Sequence, residues 1–465
     1  MIRGAPTLHR DRNMDQTTRT LASYVANLAY EHLTPNAVHE TKRRLIDSIG
    51  CAIGGCNSEP ARIARSAAAD ASGQPTAHLL LSGESTSIEM AAFANTVMVR
   101  YLDCNDTYIS IGSGHPSDMV GAVLAVADAH RVSGADTLTA MAAGYEMFTA
   151  LADRVKLRDR GWDQGVFVVL AAAAATAKLL KLDEEQTANA LAIAVTANIP
   201  TRQTRAGELS MWKGCATAAS AREGVFAALL AAKGMTGPTA AFEGKNGIME
   251  QVTGPFELGP LGGDGVPFGI ERTNVKFFPS EYHSQAPLWL ALGLREKVRA
   301  EEIAALDVQT YFTAWSEIGS EPEKWDPKTR ETADHSLPYL LAVALIDGFI
   351  TPESFSERRI ADAATRALMS KVRISENTDF TAAYPEKLVT RIEVTTRAGE
   401  RFADTASYPK GHARNPMTDR DLEAKFAGLA RGLLRETESE AVMQALWGID
   451  KAADVSAILA GIRVG

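Results

Sequence analysis

Cysteine is scarce. Cys51, Cys56, Cys104 and Cys215 are the only four in 465 residues, and their spacing fits neither a zinc nor an iron–sulfur pattern. So few thiols in so long a chain make no disulfide framework, which implies reduced cysteines in a cytoplasmic protein. Long apolar runs are also missing. The charge-free stretch Gly165–Ala177 stops at Lys178, too short to cross a bilayer, and reads as a buried helix. Met1–Asn13 is polar and has no apolar centre, so no secretory signal is read there and the segment is expected to be a frayed extension. Positive charge is not in excess. The net charge of −9 argues against nucleic acid as a partner, and an anionic substrate would need cations gathered locally. No two histidines stand at helical metal-ligand spacing, and neither a glycine-rich phosphate loop nor a nucleophile elbow occurs. A metal and a cofactor are therefore not expected.

Helical pattern dominates what is there. Thr34-Pro35 reads as a cap and first helical residue, and the apolar series Val38, Leu45, Ile49, Ile53 runs to Gly54-Gly55. Further helices are predicted over 117–130, 136–154, 164–180, 183–197 and 213–233, with alanine-rich faces that suit close crossings. Residues 252–269 are rich in Gly and Pro and read as a linker. Strands are predicted over 270–278, 306–312 and 388–394, the last followed by a turn at Ala398-Gly399. Helices are predicted over 287–297, over 336–348 and again from Asp419 onward. The pattern gives a mainly α protein: helical residues 15–269 and 406–465 forming one domain, and a smaller α+β unit over 270–405.

Four clusters carry potential chemistry. In the first, a helix over 95–107 would put Asp103 and Thr107 on one face, and His115 would stand at a helix N-terminus opened by Pro116. Such a position favours neutral imidazole and attracts anions, which suits a base beside a carboxylate substrate. A plain cap at His115 and an ordinary Asp103–Arg pair are the alternative. The second cluster is Arg202, Arg205, Trp212 and Lys213, where a lysine ahead of an alanine-rich helix opposes the helix dipole; a solvated lysine would look the same. The third, Lys276 to Gln285, gathers Lys276, Glu281, His283 and Gln285 at a strand-to-helix junction; a polar turn is the alternative. In the fourth, Asp334 either orients His335 or starts a helix, and capping is the preferred reading. His9, His32, His39, His78, His130 and His412 stand alone.

In order, Leu45-Ile46-Asp47-Ser48-Ile49-Gly50-Cys51, Asp103 to His115, Lys213, Phe278-Pro279-Ser280-Glu281-Tyr282-His283-Ser284-Gln285, Glu331 to Tyr339 and Lys410-Gly411-His412-Ala413-Arg414-Asn415-Pro416 resemble the MmgE/PrpD family. The resemblance runs from about Thr18 to Gly461. It implies a large helical domain with an α+β lid, a homodimer, no metal, and a pocket between the domains that takes a small tricarboxylate. It carries site roles to Asp103, Thr107, His115, Lys213 and His283. Dehydration of 2-methylcitrate or citrate is the implied reaction, with cis-aconitate decarboxylation or amino-dicarboxylate epimerisation as alternatives; a silent tricarboxylate-binding dimer is the alternative of another class. Gln164 departs from the histidine that dehydratase relatives often carry there. On this reading His115, helped by Asp103, is the candidate base. Lys213 and His283 stabilise charge or deliver a proton, Thr107 and Gln285 hold carboxylates, and Arg205, Lys276 and His335 assist binding. Base and acid labels stay interchangeable.

Overall fold

A computed structural model describes residues 14–464. The expected N-terminal extension and His9 lie outside the described residues. Caps start the helices where polar residues precede apolar periodicity. Thr34 accepts the amide of Ala37 ahead of Pro35–Gly55, Ser133 accepts that of Asp136, and Asp183 with Gln186 forms a reciprocal box before Glu184–Ala197. Helix Gly165–Leu179 is almost wholly buried against Gly134–Ala152 and Ala216–Ala232. Small residues make that approach possible: a Cβ at Gly224 would come within 2.5 Å of the Val169 carbonyl oxygen. No helix among the described residues is long and apolar enough to cross a membrane.

Two large cores result. One is built from residues between Leu21 and Val275 together with residues between Met417 and Ile462. Helix Asp419–Ala430 brings the C-terminal residues back onto Pro35–Gly55. Lys425 crosses that seam to bond Asp47 at 2.5 Å and the Cys104 carbonyl at 2.6 Å. The other core lies between Phe278 and Val394, where helix Gln285–Arg295 packs on a four-stranded sheet and helix Leu337–Asp347 packs on that helix. Its strand order is Val372–Glu376, Ile303–Thr310, Thr390–Thr396, Arg401–Ala406. The first pair is parallel and the other two are antiparallel. Thr390, Ile392, Val394 and Thr396 alternate inward, and Gly399 at φ +86° makes the hairpin turn.

Three expectations need correction. Residues 270–278 form no strand. Gly269–Arg272 coils into a 3-10 turn, and the extended piece after it gains only an isolated bridge, Asn274 exchanging both backbone bonds with Thr107 at 2.8 Å. The strand Val372–Glu376 was missed because only Val372 is buried in that edge segment, so its pattern carries no alternation. The helix expected over 95–107 ends at Arg100, and Asp103 sits in the left-handed region at φ +52°. Asp103 and Thr107 therefore do not share a helix face. A non-glycine residue there costs of order 1 kcal/mol, offset here by what its side chain and carbonyl bind.

Candidate active site

A cavity of about 500 Å³ opens where the two cores meet. Asp103, Thr107, His115 and Arg205 line it from the first core; Lys276, Glu281, His283 and His335 line it from the second side. The size suits a small-molecule site. A wider depression of about 740 Å³ over Pro75, His130 and Phe226 gathers no comparable group of ionisable residues.

Asp103 organises the floor. Its left-handed backbone turns the carboxylate back onto Arg100, whose Nη1 lies 2.8 Å from Oδ1. Lys276 pairs with the same oxygen and also donates to the Asp103 carbonyl at 3.0 Å. Lys213 reaches Oδ2 at 3.0 Å from the turn Met211–Gly214, just ahead of helix Ala216–Ala232. Burial alone would raise the Asp103 pKa, but Arg100, Lys213 and Lys276 hold it well below the usual carboxylate range. Lys213 is neither solvated nor free. It is 2% exposed and packs behind the cavity wall, bonding both Asp334 oxygens at 2.9 and 3.0 Å.

Asp334 does not cap the following helix; Ser336 does, accepting the Tyr339 amide. Asp334 instead accepts the Nδ1–H of His335 at 2.6 Å, so orientation of an imidazole is its role. Asp103, Asp334 and His335 bring three potential ligand atoms within 4.8 Å of one another. The Lys213 ammonium already bridges the two carboxylates, so the cluster is a lysine-centred ion network.

His115 precedes the turn Pro116–Met119, which leads into helix Val120–Ala129. Its Nδ1 lies 2.6 Å from the Asp106 carbonyl oxygen and 3.1 Å from Thr107 Oγ1. A carbonyl only accepts, so Nδ1 carries the proton and Nε2 keeps its lone pair. Nε2 lies 3.9 Å from Asp103 Oδ1, beyond hydrogen-bond reach: Asp103 shapes the field around His115 without orienting it. Burial, then Arg100 and Lys276, pull the His115 pKa well below its ordinary value, with Asp103 opposing. Gln164 accepts the His115 backbone N–H at 2.5 Å, and its carboxamide fills the space a side chain at Gly114 would need.

The remaining expectations divide. His283 lines the cavity with Nδ1 2.5 Å from the Tyr311 hydroxyl, and burial takes its pKa down to about 3. Arg205 lines the cavity but is paired with Asp163 at 2.6 Å. Gln285 does not reach the cavity. Its Oε1 accepts the amides of Phe277 and Phe278 at 3.0 Å, and its Nε2 donates to the Phe278 carbonyl and Ser280, so it shapes the loop rather than holding a carboxylate. Residues the sequence reading assigned no role include Arg100, Glu281, Glu317 and Tyr311. The Arg-x-x-Asp spacing of Arg100 and Asp103 at a helix end was a usable signal. Glu317, which binds both Arg158 and Arg202 at the cavity mouth, sits on the other core and offered none.

These buried histidines make stability pH-dependent. His335 is pulled from the ordinary 6.5 to about 4 by burial, Lys213 adding and Asp334 opposing. The unfolded chain binds that proton below about 6.5 and the folded one does not, so this contribution is present above 6.5 and lost as pH falls toward 4. Glu281 and Asp118, raised by burial to about 8 and about 6, act in the opposite sense, so a variant must isolate the effect. The unfolding free energy of wild type minus that of His335→Gln should decline between pH 6.5 and 4, by on the order of 1 kcal/mol per pH unit. A flat difference in urea titrations would contradict it.

Residues 19–260 match the MmgE/PrpD N-terminal domain and residues 278–449 the MmgE/PrpD C-terminal domain. The chain belongs to the MmgE/PrpD family. It is 29% identical to the 2-methylcitrate dehydratase of Escherichia coli over 70% of this chain and 71% of that one. It is 27% identical to human cis-aconitate decarboxylase over 95% and 93%. A fungal alkylcitrate dehydratase is 28% identical over 91% and 89%.

Proposed function

We propose that this protein is a lyase that dehydrates 2-methylcitrate or citrate to the corresponding cis-aconitate without a metal. The observation that carries the reading is a neutral His115, its Nδ1 proton bound by the Asp106 carbonyl and its Nε2 left free, in a cavity lined by the buried Asp103–Lys276 pair that Lys213 backs from behind the wall. The hard step is removal of a proton from carbon next to a carboxylate, which builds negative charge on that carboxylate. His115 Nε2 takes the proton. Lys276 and Arg100 face the developing charge from fixed positions, and their attraction is strengthened because both side chains are buried. Thr107 and Arg205 lie where substrate carboxylates would be held, and residues 270–405 act as a lid over the helical domain. Dehydratase relatives support the reaction class.

The decarboxylase reading is kept because that relative spans more of this chain than the bacterial dehydratases do. Incubation with 2-methylcitrate, citrate and cis-aconitate separates the two. The expected result is ultraviolet absorbance from a new conjugated double bond with the first two, and no carbon dioxide from the third; carbon dioxide release alone would overturn the dehydratase reading. Activity should also survive prolonged EDTA treatment, because lysine ammonium groups supply the cations. A loss restored by a divalent ion would overturn the metal-free reading.

A further inference from the structure

Elimination of water needs an acid as well as a base, and the histidines of the cavity are poorly placed to be it. His115, His283 and His335 are all held neutral by burial. The carboxylates differ in a way that geometry alone reveals. Asp103 is gripped by Arg100, Lys213 and Lys276, Asp163 by Arg205, and Glu317 by Arg158 and Arg202. Asp159 is exposed at the rim. Glu281 lines the same cavity, its side chain only 14% exposed, and among the described residues no lysine or arginine lies within salt-bridge distance of it. Its Oε2 accepts the His283 backbone N–H at 2.6 Å, which pins the carboxyl at the start of the turn Tyr282–Ser284. Its Oε1 has no hydrogen-bond partner among the described residues, the His283 ring nitrogen standing off at 3.9 Å. A carboxyl group in that setting keeps its proton.

We propose that Glu281 is the general acid that protonates the departing hydroxyl group, an assignment that rests on the dehydratase reading. His115 Nε2 takes the proton from the carbon next to the carboxylate. The C–H electron pair becomes the new double bond as the carbon–oxygen bond breaks. The leaving oxygen takes that bond's electrons and the Glu281 proton, and departs as water. The Glu281 carboxylate left behind is stabilised by the His283 N–H and by the charge of Lys276. Solvent then returns a proton to Glu281 and accepts one from His115. Burial is the main influence on Glu281 and raises its pKa to about 8; Lys276 opposes, Glu317 and Asp103 assist. The base comes from one core and the acid from the other, so elimination requires the two to be closed together.

The test is Glu281→Gln, which keeps an acceptor for the His283 amide and the shape of the protonated acid but cannot give up a proton. With 2-methylcitrate or citrate, kcat should fall by about 100-fold or more with little change in KM or in melting temperature. The wild-type rate should decline as pH rises through about 8, where Glu281 ionises, and the variant should lose that limb. Difference infrared spectra of the free enzyme should show an un-ionised carboxylic acid at neutral pH that is absent from the variant. A variant with near-normal kcat and an unchanged alkaline limb, or a Glu281 already ionised at neutral pH, would overturn the assignment. Wild type inactive toward both substrates would instead sink the dehydratase reading and the acid role with it.

Discussion

Lys213→Ala is expected to lower both turnover and stability. Lys213 bridges Asp103 and Asp334 from a fully packed position, 3.0 and 2.9 Å from their oxygens. Without the ammonium, two buried carboxylates face each other with one cation fewer. Breaking a buried pair from one side costs about 3–5 kcal/mol, and that is the loss expected in chemical unfolding. A solvated lysine at this point of the sequence would leave stability nearly unchanged; the pairing with Asp103 and Asp334 excludes that. Turnover should fall by about 10²-fold or more, the size of losing one charge-stabilising group. The protein's net charge of −9 offers no long-range help to a trianion, so local cations must hold it. His335 should also bind a proton more readily, because Lys213 is among the groups that depress its pKa. Lys213→Arg should recover stability better than rate, since a planar fork cannot reproduce one compact charge shared by two carboxylates. Unchanged unfolding together with near-normal kcat would remove Lys213 from the site.

His115→Asn should separate the two quantities. The ring is neutral, and its one hydrogen-bonded proton goes to the Asp106 carbonyl, a bond worth about 1 kcal/mol net. Stability should therefore change by about that much, while kcat drops by about 10²–10⁴-fold, the range for loss of a general base. Solvent deuterium should no longer enter substrate at the carbon next to the carboxylate. Retained exchange with a slow overall rate would move the base to His335 or His283 and leave His115 a structural cap.

The two substitutions show where local sequence suffices. His115 was identifiable because its setting is local: Pro116 opens the turn, Asp106 and Thr107 are within ten residues, and all three move together. Lys213 could be located but not understood. Its partners are 110 and 121 residues away along the chain, brought in by packing rather than by spacing. Gln285 failed for the opposite reason. Polar character near a junction suggests substrate contact, yet its amide is consumed by the Phe277 and Phe278 backbone, which no pattern announces. Asp334 was misread as a cap because Ser336, two residues later, competes for that role and wins.

What the sequence by itself determined is the helical skeleton and the order of the chemical groups along it. The cap at Thr34, the helix opening at Asp183, the alanine-rich faces and a strand close to 388–394 depend on neighbours a few residues apart, so periodicity is enough to read them. Beyond local pairs such as Arg100 with Asp103, the tertiary structure decided which ionisable groups are paired. Glu281 and Asp103 are both acidic residues in polar stretches, but three cations converge on Asp103 and none comes within salt-bridge distance of Glu281 among the described residues. Charge state follows from that convergence and from burial, because the energy of a buried charge is set by what stands within a few ångströms in space, regardless of distance along the chain.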